Sequence, residues 1–124
     1  MARLARLAGV LVALTVSSAL LASCGTGNAT TDARHSCVFV KRALVLERES
    51  QQPGATSAHR NKLEASAMSE LLKGTPSAAA ATSIDGSWNP LMTTINEAER
   101  VPMPDLEASL TRLCRIADSQ TPYI

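Results

Sequence analysis

Aromatic residues are nearly missing from this 124-residue chain: Phe39, Trp88 and Tyr123 are the whole set. Stacking platforms for single-stranded nucleic acid or for sugars therefore have little to be built from. Histidine is as scarce, with His35 and His59 alone, and the two do not form a paired-histidine metal spacing. Cys-x-x-Cys pairs, phosphate-cradling glycine loops and a serine elbow are also missing, so no metal, cofactor or catalytic motif is indicated. Neither sign of charge dominates, since 12 Lys and Arg face 11 Asp and Glu. Nucleic acid finds no basic surplus to bind. No apolar run reaches the roughly 20 residues of a bilayer-spanning helix.

What is present begins with the leader. Arg3 and Arg6 supply a short positive head, no acidic residue occurs before Asp32, and Leu7 to Leu21 is apolar except for Gly9, Thr15, Ser17 and Ser18. That is the three-part pattern of a secretory signal peptide. Arg3 and Arg6 are not adjacent, so twin-arginine export is not indicated. The run ends in Leu21-Ala22-Ser23-Cys24, which resembles the lipobox of bacterial lipoproteins. The resemblance implies that the Cys24 sulfur takes a diacylglycerol, that residues 1–23 are cut away, and that Cys24 becomes the mature N-terminus. Two acyl chains hold a protein on a membrane where one does so only marginally. The implied location is the extracytoplasmic side of the cell membrane, lipid-anchored without spanning it. The heavy use of Ala, Arg and Thr resembles that of proteins from high-GC bacteria such as actinobacteria.

Removing the leader leaves 101 residues, with 10 basic against 11 acidic side chains. That length fits one domain with a modest core. Residues 24–33 read as the lipidated cysteine and a flexible tether, because Gly25 to Asp32 are small and polar with nothing to bury; residues 34–124 are the domain. A tether of about ten residues has a root-mean-square reach of roughly 17 Å. Asn28-Ala29-Thr30 matches a glycosylation sequon that carries little weight in a bacterial lipoprotein.

The domain reads as helical. From about Asp32 or Ser36 to Ser50, Cys37, Val40 and Leu44 with Phe39, Ala43 and Leu46 share one side of a helical wheel, and Lys41, Arg42, Arg48 and Glu49 gather opposite. Gln51-Gln52-Pro53-Gly54 stops it. A second helix runs from about Ser57 to Lys73 on Leu63, Ala67, Met68, Leu71 and Leu72, and Gly74 with Pro76 ends it. Residues 75–86 read either as a helix capped by Thr75 or as an ordered loop, since Ile84 is their only large apolar residue. Asn89-Pro90 repeats the cap-then-proline signal for a helix to about Glu99 or Arg100 with Leu91, Ile95 and Ala98 inside. The last helix starts at Pro104, carries Leu106, Leu110, Leu113, Cys114 and Ala117 on one face, and is closed by Thr121-Pro122.

Three or four such helices can bury their stripes only against one another, which predicts an all-α, small up-and-down bundle. Cys37 lies near the start of the first helix and Cys114 near the end of the last, the same pole of a four-helix antiparallel bundle. With Cys24 acylated they form an even pair outside the reducing cytosol, and a disulfide is expected. Closing a loop of about 78 residues stabilises by roughly 4 to 5 kcal/mol on the chain-entropy model.

Few residues suggest chemistry. His35-Ser36-Cys37 reads as a thiol beside its base or, far more simply, as a half-cystine beside a surface histidine. His59 reads as a solvated first-turn residue. Glu47-Arg48-Glu49 and Glu97 to Arg100 read as wet helix faces. Trp88 is open to two readings: an exposed anchor for a partner, or, more commonly for a large aromatic, a plug at the end of a small core. The functional expectation is a non-enzymatic envelope lipoprotein whose partner is an unidentified envelope protein. The alternative is a carrier that opens around a lipid or other apolar molecule, which demands an elongated cavity lined by Leu44, Leu71, Ile95 and Leu110.

Overall fold

The computed structural model describes residues 28–120. The leader, Cys24, residues 25–27 and the expected stop at Thr121-Pro122 lie outside the described residues. Five α-helices follow in order: α1 (Ala29–Ser50), α2 (Ser57–Leu72), α3 (Thr75–Ile84), α4 (Asn89–Glu97) and α5 (Met103–Ser119), with a single 3-10 turn at Gly86–Trp88 before α4. Among the described residues there is no strand, and no helix is long and apolar enough to cross a membrane.

The bundle is built around α1, on which α2, α3 and α5 all pack, while α4 lies against α3 and α5. α2 runs antiparallel to α1: Arg60 Nε donates to the Ser50 carbonyl at one end (3.2 Å), and Ser36 Oγ donates to the Gly74 carbonyl at the other (2.9 Å). The reversal between them passes through Gly54 at φ +85°, a backbone conformation that favours glycine. α5 is antiparallel to α1 as well, with Thr30 beside Gln120, Arg34 beside Ala117 and Arg48 beside Glu107. Cys37 and Cys114 are joined across this pair by a disulfide with Cα atoms 5.5 Å apart.

Alanine makes much of the interior. Ala33, Ala43, Ala67, Ala78, Ala81 and Ala117 are fully buried, and between them lie Val40, Leu71, Leu91, Ile95 and Leu110, also fully buried. Side chains this short let helix axes approach to the low end of the usual 8–10 Å. Gly74 takes this to its limit, for a Cβ there would stand 3.0 Å from Ser36 Oγ and 3.1 Å from the Ser36 carbonyl oxygen.

Several details differ from the sequence reading. α1 begins at Ala29, so the helix takes up the last five residues of the stretch read as tether. Asn28 Oδ1 accepts from the backbone N–H of Thr30 (2.9 Å) and Thr31 (3.4 Å), which caps the helix. Buried Ala29 and Ala33 then seat its first turns, and Arg34 Nε donates to the Ala117 carbonyl at 2.8 Å. Residues 75–84 are helical because Ala78 and Ala81 provide a buried stripe without any large side chain. Thr75 is not its cap: Gly74 holds that position and the Thr75 hydroxyl is buried without a partner. Asn89 likewise is the first helical residue and Trp88 the cap, because the 3-10 turn runs directly into α4. α4 ends at Glu97 and turns occupy residues 98–100 before Pro102.

Candidate functional site

Candidate sites depend first on whether the interior has room. Leu71, Ile95 and Leu110 have no accessible surface and Leu44 keeps 4%. A void that admits water would expose the side chains that line it, so no such space opens among these residues. Among the described residues, grooves and depressions lie on the outside of the bundle.

On the outside, α1 presents an apolar ridge. Val45 is 50% exposed and Val38, seven residues and two turns earlier, is 42% exposed. On one flank of Val45 a groove of about 350 Å³ runs between α1 and α5, with Val40, Leu44 and Cys114 at its floor and Lys41, Arg48, Arg115 and Asp118 at its rim. On the other flank a shallower depression of about 490 Å³ is lined by Lys41, Arg42, Leu46 and Glu70. The antiparallel placement of two amphipathic helices makes the first groove, since their adjacent wet edges diverge above the shared core.

The rim is cationic. Lys41 pairs with Asp118 at 2.5 Å and Arg48 with Glu107 at 2.7 Å, both at exposed positions where such pairs contribute little stability. Arg42 lies 5.9 Å from the Phe39 ring centroid. Arg112 and Arg115, one turn apart on α5, make no ion pair among the described residues. The carboxylates Asp118 and Glu107 are therefore already engaged, while at the groove's rim the Arg115 guanidinium stands available and Arg112 lines the neighbouring depression with Glu107. An apolar segment bearing carboxylates is the complementary ligand.

The sequence-predicted residues fall as follows. Cys24 lies outside the described residues. Cys37 and Cys114 are brought together, buried beneath the α1–α5 groove. With its sulfur in that bond, Cys37 is no nucleophile, and the thiol-and-base reading of His35-Ser36-Cys37 is overturned. His35 instead sits at the surface, its Nδ1 2.9 Å from Ser77 Oγ and its ring 5.6 Å from that of Phe39. Trp88 is 4% exposed, which corrects the exposed-anchor reading: the ring is packed at the edge of the core. His59 is exposed in the first turn of α2, its N–H accepted by Thr56 Oγ1 at 3.2 Å. Glu47, read as part of a wet face, is buried at 5% exposure, with Gln51 Nε2 donating to its Oε1 at 3.1 Å.

Asp85 has the one clearly displaced acidity among the described residues. The Ser87 backbone N–H donates to its Oδ1 at 2.9 Å, and with the Ser87 hydroxyl this holds the carboxyl below its ordinary value of 3.8. The group is fully exposed and ties off the 3-10 turn, a structural task. No three His, Cys, Asp or Glu side chains among the described residues converge to hold a metal ion. Comparison with protein-family models, curated proteins and solved structures finds no match.

The groove was not read from the sequence. Its signal was the pair Val38 and Val45 set among Lys41, Arg42 and Arg48 on the polar side of α1, but the opposing rim comes from α5, some seventy residues away.

Proposed function

We propose that this chain is a bacterial lipoprotein, anchored through diacylglycerol on Cys24 to the extracytoplasmic side of the cell membrane, whose helical domain is a non-enzymatic interaction module. The anchor rests on the leader and on Leu21-Ala22-Ser23-Cys24. One observation supports a module over a carrier: the interior among Leu44, Leu71, Ile95 and Leu110 is filled, while an apolar groove with a cationic rim lies open between α1 and α5. A carrier of the kind expected from the sequence needs its cavity where these side chains already touch.

The partner this geometry favours is an envelope protein presenting an apolar segment with flanking carboxylates. A photo-cross-linking residue placed at Val45 tests it in cells, with Glu64 on the exposed side of α2 as the control. The reading expects one discrete adduct from position 45, none from 64, and loss of the adduct when Arg115, at the rim of the groove, is changed to Glu. Equal labelling from the two positions contradicts it, as does a stoichiometric apolar molecule released from the purified folded domain by organic solvent.

A further inference from the structure

The start of α1 at Ala29 changes what the anchor can do. Only four peptide units separate Cys24 from Asn28, which caps that helix, and they span at most about 14 Å when fully extended. α1 itself, at 22 residues, is about 33 Å long. If Cys24 is acylated, the pole of the bundle where α1 begins is held at the headgroups, and the opposite pole, where α1 turns into α2, is held away from them.

That pole has a definite composition. Thr30 Oγ1 donates to Gln120 Oε1 at 2.9 Å, which brings the end of α5 to the start of α1. Gln120 in turn shares a depression of about 200 Å³ with Ser87, Trp88, Leu113 and Ile116. Ile116 is 40% exposed there, and Ile84, three residues before Ser87, is 46% exposed. These are two of the four large apolar side chains most open to solvent among the described residues, the others being Val38 and Val45 on the flank. Asp118 is paired with Lys41, and Asp85 caps its own turn.

We infer that the Ile84–Ile116 end of the bundle is a membrane-contact face, seated on the lipid surface beside the Cys24 anchor with its isoleucines entering the headgroup boundary. The occupant is the bilayer itself, argued from the short span to Asn28 and from apolar side chains placed around the point where the chain leaves the bundle. Seating by apolar contact calls for no anionic lipid. It also leaves the α1–α5 groove along the side of the domain, parallel to α1 and accessible to a partner. This inference rests on the lipoprotein reading.

Trp88, the only tryptophan of the chain, lies at this pole and serves as reporter. The probe is the envelope-extracted protein in phosphatidylcholine vesicles, with and without a nitroxide on the lipid headgroup. The expected result is clear quenching of Trp88 emission by the labelled lipid. In the doubly substituted I84E/I116E protein, which still floats with vesicles, each change lowers the docked-to-undocked ratio by about three- to tenfold, and quenching falls accordingly. Unchanged emission in labelled vesicles, from protein that floats with them, overturns the contact face while leaving the anchor standing. Quenching of the double variant equal to that of the native protein also overturns it. Protein that does not float and retains residues 1–23 overturns the anchor, and the seating falls with it.

Discussion

The buried hydroxyl of Ser36 donates to the carbonyl of Gly74 across 2.9 Å, at the closest approach of α1 to the junction of α2 and α3. The close approach favours glycine at residue 74, because a Cβ would press on both the hydroxyl and the carbonyl of Ser36 and these would have to give by a few tenths of an ångström. Where α2 ends and α3 begins is thus decided by a tertiary contact as much as by Pro76.

Gly74→Ala should destabilise by about 1–3 kcal/mol, the range for overpacking a close contact. Ser36→Ala should cost less, about 0.5–1.5 kcal/mol, because the Gly74 carbonyl still accepts from the Ala78 backbone N–H at 3.0 Å. Urea unfolding of both variants reads this directly. A midpoint for Gly74→Ala equal to that of the native protein would mean that the junction relaxes freely.

The Cys37–Cys114 bond spans 77 positions of sequence. Its removal by paired Cys→Ser substitution should cost about 2–5 kcal/mol, much of the stability of a domain this size. Thermal unfolding with and without reductant measures it, and the native protein should lose its excess stability in reductant while the double variant does not respond.

Trp88→Ala separates plug from anchor. With the ring 4% exposed, truncation should cost about 3–5 kcal/mol. A variant that keeps its melting temperature would restore the exposed-anchor reading.

Asp85 gives a pH signature. Its carboxyl is held below 3.8 by hydrogen bonds from Ser87, so the charged form is favoured in the folded state. The resulting stabilisation is fully present above the unfolded value, and is lost as pH falls from there through the lower folded value. Asp85→Asn should therefore be less stable than the native protein at neutral pH, and the difference should shrink in that acid window. A carboxyl resonance of Asp85 that titrates at or above 3.8 contradicts it.

The parts of the fold legible in the sequence were those written in large side chains or paired cysteines. Leu106, Leu110 and Leu113 mark α5 unaided, and Cys37 with Cys114 fixed how α1 and α5 meet. The first turns of α1 and the choice between helix and loop at α3 were obscure because their packing uses alanine: Ala29, Ala33, Ala78 and Ala81 bury completely or nearly so, yet in sequence Ala29 and Ala33 look like tether and Ala78 and Ala81 give a helix no large side chain to anchor it. Glu47 was misread because charge predicts solvent, whereas its position on the wheel between Ala43 and Ser50 places it inward. The groove was illegible for a different reason. It belongs to neither α1 nor α5 but to the angle between their wet edges, which no single-helix pattern records.

The account stands most directly on the covalent state of its cysteines. Intact mass of the envelope-extracted protein, with alkylation before and after reduction, should show residues 1–23 gone and diacylglycerol on Cys24, with Cys37 and Cys114 alkylated only after reduction. A mass that begins at Met1, or a chain that carries no acyl group and leaves the membrane without detergent, contradicts it.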